Sequence, residues 1–127
     1  MESGTKQIII VSLIGLVILG GTVYLLNRES GPGKLDALAT CIKDSGTIFY
    51  GAFWCQHCQN QKAEFGSSEK LLPYVECSTP DGNSQTALCV DKGVKSYPTW
   101  VYPDGSVETG EQTPAHLAEK TGCELPK

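Results

Sequence analysis

Two cysteines separated by two residues, Cys55-Gln56-His57-Cys58, follow almost directly on the apolar run Thr47-Ile48-Phe49-Tyr50-Gly51-Ala52. A run rich in β-branched and aromatic residues reads as a buried strand. The stretch Gln59 to Phe65 holds Gln, Lys, Ala and Glu and reads as helix. Cys55 and Cys58 are therefore predicted where a strand hands over to the first turn of a helix. Unpaired N–H groups and the positive end of the helix dipole stabilise a thiolate there. Thiolates of Cys-x-x-Cys motifs at helix starts reach pKa values of roughly 3.5 to 7.5, against about 8.5 for free cysteine. The thiolate is the attacking species in disulfide exchange. This makes Cys55 the candidate nucleophile and Cys58 the resolving partner.

The chain of 127 residues has room for one ordinary domain and a further segment. Six cysteines at this length point to an oxidising compartment. The formal net charge is −4, and because Glu2 and Lys6 cancel, residues 27–127 carry the same −4. No Lys/Arg cluster occurs, so nothing favours nucleic acid as a partner.

The further segment is N-terminal. After a short tail, 1–7, residues 8–26 run without charge, IIIVSLIGLVILGGTVYLL. At about 1.5 Å per residue this approaches the ~30 Å of a bilayer core. A cleaved signal peptide has a shorter apolar region of about 7–15 residues and a more basic start than the single Lys6. The run is read as a retained single-pass transmembrane anchor, although small residues at Gly20-Gly21-Thr22 leave a cleavage site open. Charge orients it weakly. The cysteine count places the C-terminal domain outside the cytoplasm, in the periplasm or cell exterior or in a thylakoid-type lumen.

Residues 27–33 (NRESGPG) form a polar linker, and 34–127 is the folded domain. Lys34 to Lys43 places Leu35, Leu38, Ala39 and Ile42 at helical spacing. After the Cys-x-x-Cys helix come a short helical stretch at Ser67–Glu69, a strand at Tyr74–Cys77, a loop at 78–84 and a helix from Gln85 to Lys92. The strand Thr99–Tyr102, the turn Pro103–Ser106 and Val107 form a hairpin. Thr113-Pro114 caps a last helix that stops at Gly122. This order predicts an α/β fold, a mixed central sheet with helices on both faces.

Phe53-Trp54-Cys55-x-x-Cys58 after a strand, with Tyr97-Pro98-Thr99 before a later one, resembles the thioredoxin superfamily. Tyr50 to Cys55, Tyr74-Val75-Glu76-Cys77, Cys89 and Gly93-Val94-x-x-Tyr97-Pro98-Thr99-Trp100 look like the thioredoxin-like domain of bacterial and plant homologues of vitamin K epoxide reductase. The likeness covers about Lys34 to Gly122. It implies a thioredoxin-like fold, a cis Pro98 facing the cysteine pair, and disulfide exchange with protein thiols on one side and a membrane-embedded reductase on the other. The four-helix reductase part is not in this sequence. Thioredoxins carry a buried carboxylate in the strand before the motif, where this chain has Phe49. That departure argues against thioredoxin-like reductase proficiency.

A zinc site uses the same Cys-x-x-Cys spacing but needs a second ligand pair. Cys77 and Cys89 are 12 apart and His116, read as a surface helix residue, stands alone. A copper(I) site through Cys55, Cys58 and His57 is the rival of a different class. His57, flanked by Gln56, is read as tuning the Cys55 thiolate by charge or hydrogen bonding, which makes the disulfide a stronger oxidant. His here also resembles the oxidising members of the superfamily. Tyr97 and Pro98 are read as leaving a backbone group for a substrate strand. Trp54 and Trp100 are read as core packing, with Trp54 also at the rim of the site. Cys41, Cys77, Cys89 and Cys123 allow three pairings. Cys77–Cys89 is local, and Cys41–Cys123 would join the first and last helices of the domain. Both are read as structural bridges, with a second redox relay at Cys77–Cys89 as the alternative.

The sequence thus predicts a membrane-anchored thiol–disulfide oxidoreductase that needs no cofactor. It would oxidise extracytoplasmic proteins and be reoxidised by a vitamin K epoxide reductase-like membrane protein. The same-class rival is a reductase or isomerase fed by a membrane electron donor.

Overall fold

The computed structural model describes the backbone of residues 2–26 and 32–127, with side chains for 8–24 and 32–127. Most of the predicted linker, 27–31, lies outside the described residues. The chain divides into two compact units, Met1–Gly31 and Pro32–Lys127.

The first unit is helix α1, Glu2–Leu26. It takes in most of the predicted tail as well as the charge-free run. Ile8, Val11, Leu16, Val17 and Tyr24 are all exposed, because a lone helix that is apolar all round has nothing in its own unit to pack against. Its described side chains stop short of Leu26. Among the described residues no helix is long and apolar enough to cross a membrane.

The second unit contains α2 (Asp36–Asp44), β1 (Ile48–Gly51), α3 (Gln56–Phe65), a 3-10 helix (Gly66–Leu71), β2 (Tyr74–Glu76), α4 (Ala87–Asp91), β3 (Thr99–Val101), β4 (Val107–Thr109) and α5 (Pro114–Thr121). The sheet order is β2-β1-β3-β4. β2 runs parallel to β1, while β3 is antiparallel to both β1 and β4. The mixed sheet and its helices fit the α/β, thioredoxin-like fold expected from the sequence.

Period-2 alternation sends successive residues of β1 to opposite faces. Phe49 pairs in register with Tyr74 and Trp100. Its ring stacks on Trp100 at 4.5 Å and meets Tyr74 edge-on at 5.0 Å. Leu38, Ala39 and Ile42 of α2, Cys58 and Phe65 of α3, and Leu117 and Ala118 of α5 close over this face. Tyr50 points the other way, into a cluster with Cys77, Cys89 and Val94. Burying each large side chain contributes about 1.5–3 kcal/mol, and most of it falls on the Phe49 face.

Local signals place the ends of the elements. The Thr113 hydroxyl accepts from the His116 N–H at 3.2 Å, Pro114 opens α5, and Gly122 ends it in the left-handed region at φ 71°. The helical stretch after α3 is 3-10 rather than α, and α4 is shorter than predicted, beginning after the cap residue Thr86. The predicted disulfide pairs are bonded in the structure. Cys41–Cys123 ties α2 to the end of α5, and Cys77–Cys89 ties the end of β2 to α4, with Cα separations of 6.0 and 5.5 Å.

Candidate active site

β1 ends at Gly51, and the turn through Ala52, Phe53 and Trp54 delivers Cys55 to the N-cap of α3. The Cys55 N–H donates to the Ala52 carbonyl at 3.0 Å, which tightens that turn. Cys58 sits in the first turn of the helix. Both cysteines are free thiols. Their environments differ: Cys55 retains 8% of its accessible surface and Cys58 only 1%. A partner sulfur therefore reaches Cys55 first. Burial, followed by the hydrogen bond with Cys55, pushes the Cys58 thiol up to about 12, although the Ala52 backbone and Lys62 pull the other way. A buried thiolate lacks water to stabilise it.

The Tyr97–Pro98 bond is cis. The Cys55 thiol points at the Tyr97 carbonyl, 3.7 Å away, so the loop before β3 lies against the nucleophile. The Tyr97 ring meets Trp54 edge-on at 5.9 Å. Gln85 Nε2 donates to both the Tyr97 hydroxyl at 2.9 Å and the Val94 carbonyl at 2.8 Å. Trp54, Ser78, Gln85, Lys95 and Tyr97 line an open groove of about 410 Å³ beside the cysteines.

Trp54 is not part of the core. Its side chain is 53% exposed and its indole N–H donates to Ser78 Oγ at 2.9 Å. It walls the site, whereas Trp100 is fully buried. The turn at the motif projects Trp54 away from the sheet, so its residue type misled the core reading.

His57 is placed on the exposed side of α3. Its Nδ1 lies 2.6 Å from Glu111 Oε1, with 71% of the side chain exposed. Asn60 Nδ2 donates to the same oxygen at 3.1 Å. These bonds, His57 first, hold the Glu111 carboxyl below the usual carboxylate range. Gln56 faces solvent and donates to Asn60 Oδ1 at 3.0 Å. Among the described residues, no group of three or more His, Cys, Asp or Glu is arranged to hold a metal ion.

Three residues to which the sequence assigned no role at the site support the motif. Gln61 is fully buried and clamps the backbone of Gln112, donating to its carbonyl at 2.8 Å and accepting from its N–H at 2.6 Å. Glu76 accepts from the Phe53 N–H at 3.2 Å, the Ser78 N–H at 2.8 Å and the Tyr74 hydroxyl at 2.7 Å. Tyr74 lies beside Cys58 across Gly51: a Cβ on Gly51 would come within 2.7 Å of Tyr74 Cε2 and 2.9 Å of Cys58 Sγ.

No protein-family model matches the chain. Among curated proteins it is similar to the thiol-disulfide oxidoreductase LTO1 of Arabidopsis thaliana. The two are 44% identical over 105 residues, 79% of this chain and 27% of that protein. The chain thus spans about a quarter of the length of the relative it matches. Together with two free thiols at one helix start, one at the N-cap with some accessible surface and one sealed in the first turn, that similarity supports a thioredoxin-like redox protein.

Proposed function

We propose that residues 32–127 catalyse thiol–disulfide exchange through Cys55 and Cys58, in the direction of substrate oxidation. The observation that carries this reading is the asymmetry of the pair. Cys55 caps α3 and retains accessible surface, while Cys58 is sealed beneath it. In the oxidised state a substrate thiolate attacks Cys55, its electron pair forms the new S–S bond, and the Cys55–Cys58 bond breaks with Cys58 leaving. A second substrate thiol then displaces Cys55, which releases the substrate disulfide and leaves the protein reduced. The groove along Trp54 and Tyr97 suits an extended peptide segment.

The charge-free run 8–26 supports a single-pass membrane anchor, and the two bonded cysteine pairs support an extracytoplasmic domain. The substrates in this reading are protein thiols. A vitamin K epoxide reductase-like membrane protein would return the pair to the disulfide state.

Cys58→Ser tests the exchange. Mixed disulfides joined through Cys55 are expected to accumulate in cells; if no covalent adduct appears, the exchange reading fails. The reduction potential tests the direction. A value near −120 to −180 mV fits an oxidant, and one near −270 mV fits a reductase fed by a membrane donor.

A further inference from the structure

Opening the Cys55–Cys58 disulfide puts a negative charge on Cys58, and the surroundings of Cys58 are poorly suited to hold it. On the strand before the motif, Phe49 is packed between Tyr74 and Trp100 and presents only hydrocarbon to this side of the sheet. Glu76, one strand over, is already occupied by two backbone N–H groups and the Tyr74 hydroxyl. Its partner Tyr74 is held well above the ordinary phenol range by burial and then by that bond. Neither Glu76 nor Tyr74 is therefore a ready source of positive charge or of a proton.

One cation does approach. Lys62 stands four residues after Cys58 on α3, so the two share a helix face. Its Nζ lies 3.4 Å from the centroid of the Tyr74 ring. The edge of that same ring and the Cys58 sulfur crowd the space above Gly51. Cys58, Tyr74 and Lys62 thus form a contiguous stack. Its outer end opens on a groove of about 300 Å³ lined by Lys62, Glu69, Lys70, Leu72 and Tyr74. Lys62 is half-buried and reaches water on that side.

We propose that Lys62, held over Tyr74, is the charge-compensating residue for the Cys58 thiolate released when a substrate sulfur attacks Cys55. This inference rests on the exchange reading above and names a positioning residue for its first step. The substrate sulfur contributes the electron pair of the new bond to Cys55. The pair of the old bond departs on Cys58. The ammonium of Lys62 stabilises that charge through the low-dielectric space beside Tyr74 until Cys58 takes a proton from solvent, balancing the proton the substrate thiol lost. A positive charge acting across protein atoms counts for more than it would across water. An aromatic face also holds an ammonium in place without neutralising it.

The test uses the full chain in detergent, oxidised at Cys55–Cys58. The rate of disulfide opening by glutathione at pH 7 is read by quenching and alkylating the freed thiols. Lys62→Met keeps the length of the stem over Tyr74 and is expected to slow opening by about tenfold, since exchange rates follow the leaving thiolate's stability. Lys62→Arg keeps the charge and is expected to stay within about threefold of wild type. A Lys62→Met rate equal to wild type overturns the inference. So does equal slowing by Met and Arg, which would indicate packing rather than charge. Reaction of Cys58→Ser with glutathione disulfide separates the two levels: the Cys55 thiolate attacks one sulfur, forms the Cys55–glutathione mixed disulfide and releases one glutathione thiolate. If Cys55 forms that adduct and the Lys62 variants show no effect, the inference fails alone; if Cys55 forms none, the exchange reading fails with it.

Discussion

Nδ1 of His57 lies 2.6 Å from Oε1 of Glu111, a residue 54 positions further along the chain. The histidine inside the motif therefore has an acidic partner on the surface. If His57 favours the reduced state by its positive charge, Glu111 works against it. His57→Ala should make the disulfide less oxidising, shifting its equilibrium with glutathione by a few-fold, and Glu111→Gln should shift it the opposite way. Both constants can be measured in glutathione redox buffers. Equal values for all three proteins would remove His57 from the argument about direction.

Gln61 holds the backbone of Gln112 by both halves of its amide. Gln61→Ala would leave a partly buried N–H and a partly buried carbonyl of Gln112 without their partner. At about 1–3 kcal/mol for each unsatisfied group, the variant should lose on the order of 3 kcal/mol. Urea unfolding measures this. The loss should be accompanied by loosening of the segment that carries Glu111, visible as faster amide exchange around Glu111 and Gln112.

These two pairs also mark what sequence could and could not reveal. The Cys-x-x-Cys at a strand–helix junction was legible because strand period, helix composition and motif are all local. The cap Thr113-Pro114 and the stop at Gly122 were legible for the same reason. The pairing of Cys41 with Cys123 followed from placing them on the first and last helices of the domain. Gln61 had a signal that was passed over: it shares the spacing of Cys58 and Phe65, the other buried residues of α3, so helical period alone puts it inside. Glu111 had none. It is one acidic residue in a polar loop, and its meeting with His57 depends on the path of the hairpin. Trp54 misled because aromatic residues are usually core, whereas this turn faces it outward.

The two disulfides should contribute unequally. Cys41–Cys123 closes a separation of 82 residues and Cys77–Cys89 one of 12. The loop-entropy model assigns them roughly 4.5 and 3 kcal/mol. Replacing Cys41 and Cys123 together by Ala should therefore lower unfolding stability by more than replacing Cys77 and Cys89. The reverse order would show that the Cys77–Cys89 bridge does more than restrict the unfolded chain, since it also anchors the segment whose Ser78 holds Trp54.

Gly51 is the last residue of β1 and separates Tyr74 from Cys58. No positive φ demands glycine there; the demand is for space. An added methyl would stand 2.7 Å from Tyr74 Cε2 and 2.9 Å from Cys58 Sγ, closer than a carbon can approach either atom without displacement. Tyr74 is bonded to Glu76 and packed on Phe49, and Cys58 is set by α3, so neither yields freely. Gly51→Ala should cost about 1–3 kcal/mol, the usual penalty of overpacking. It should also push Tyr74 and Cys58 apart. A destabilised protein with unchanged kinetics of disulfide opening would mean that their contact serves packing alone. Slower opening beyond the loss of stability would tie the spacing across Gly51 to the chemistry of Cys58.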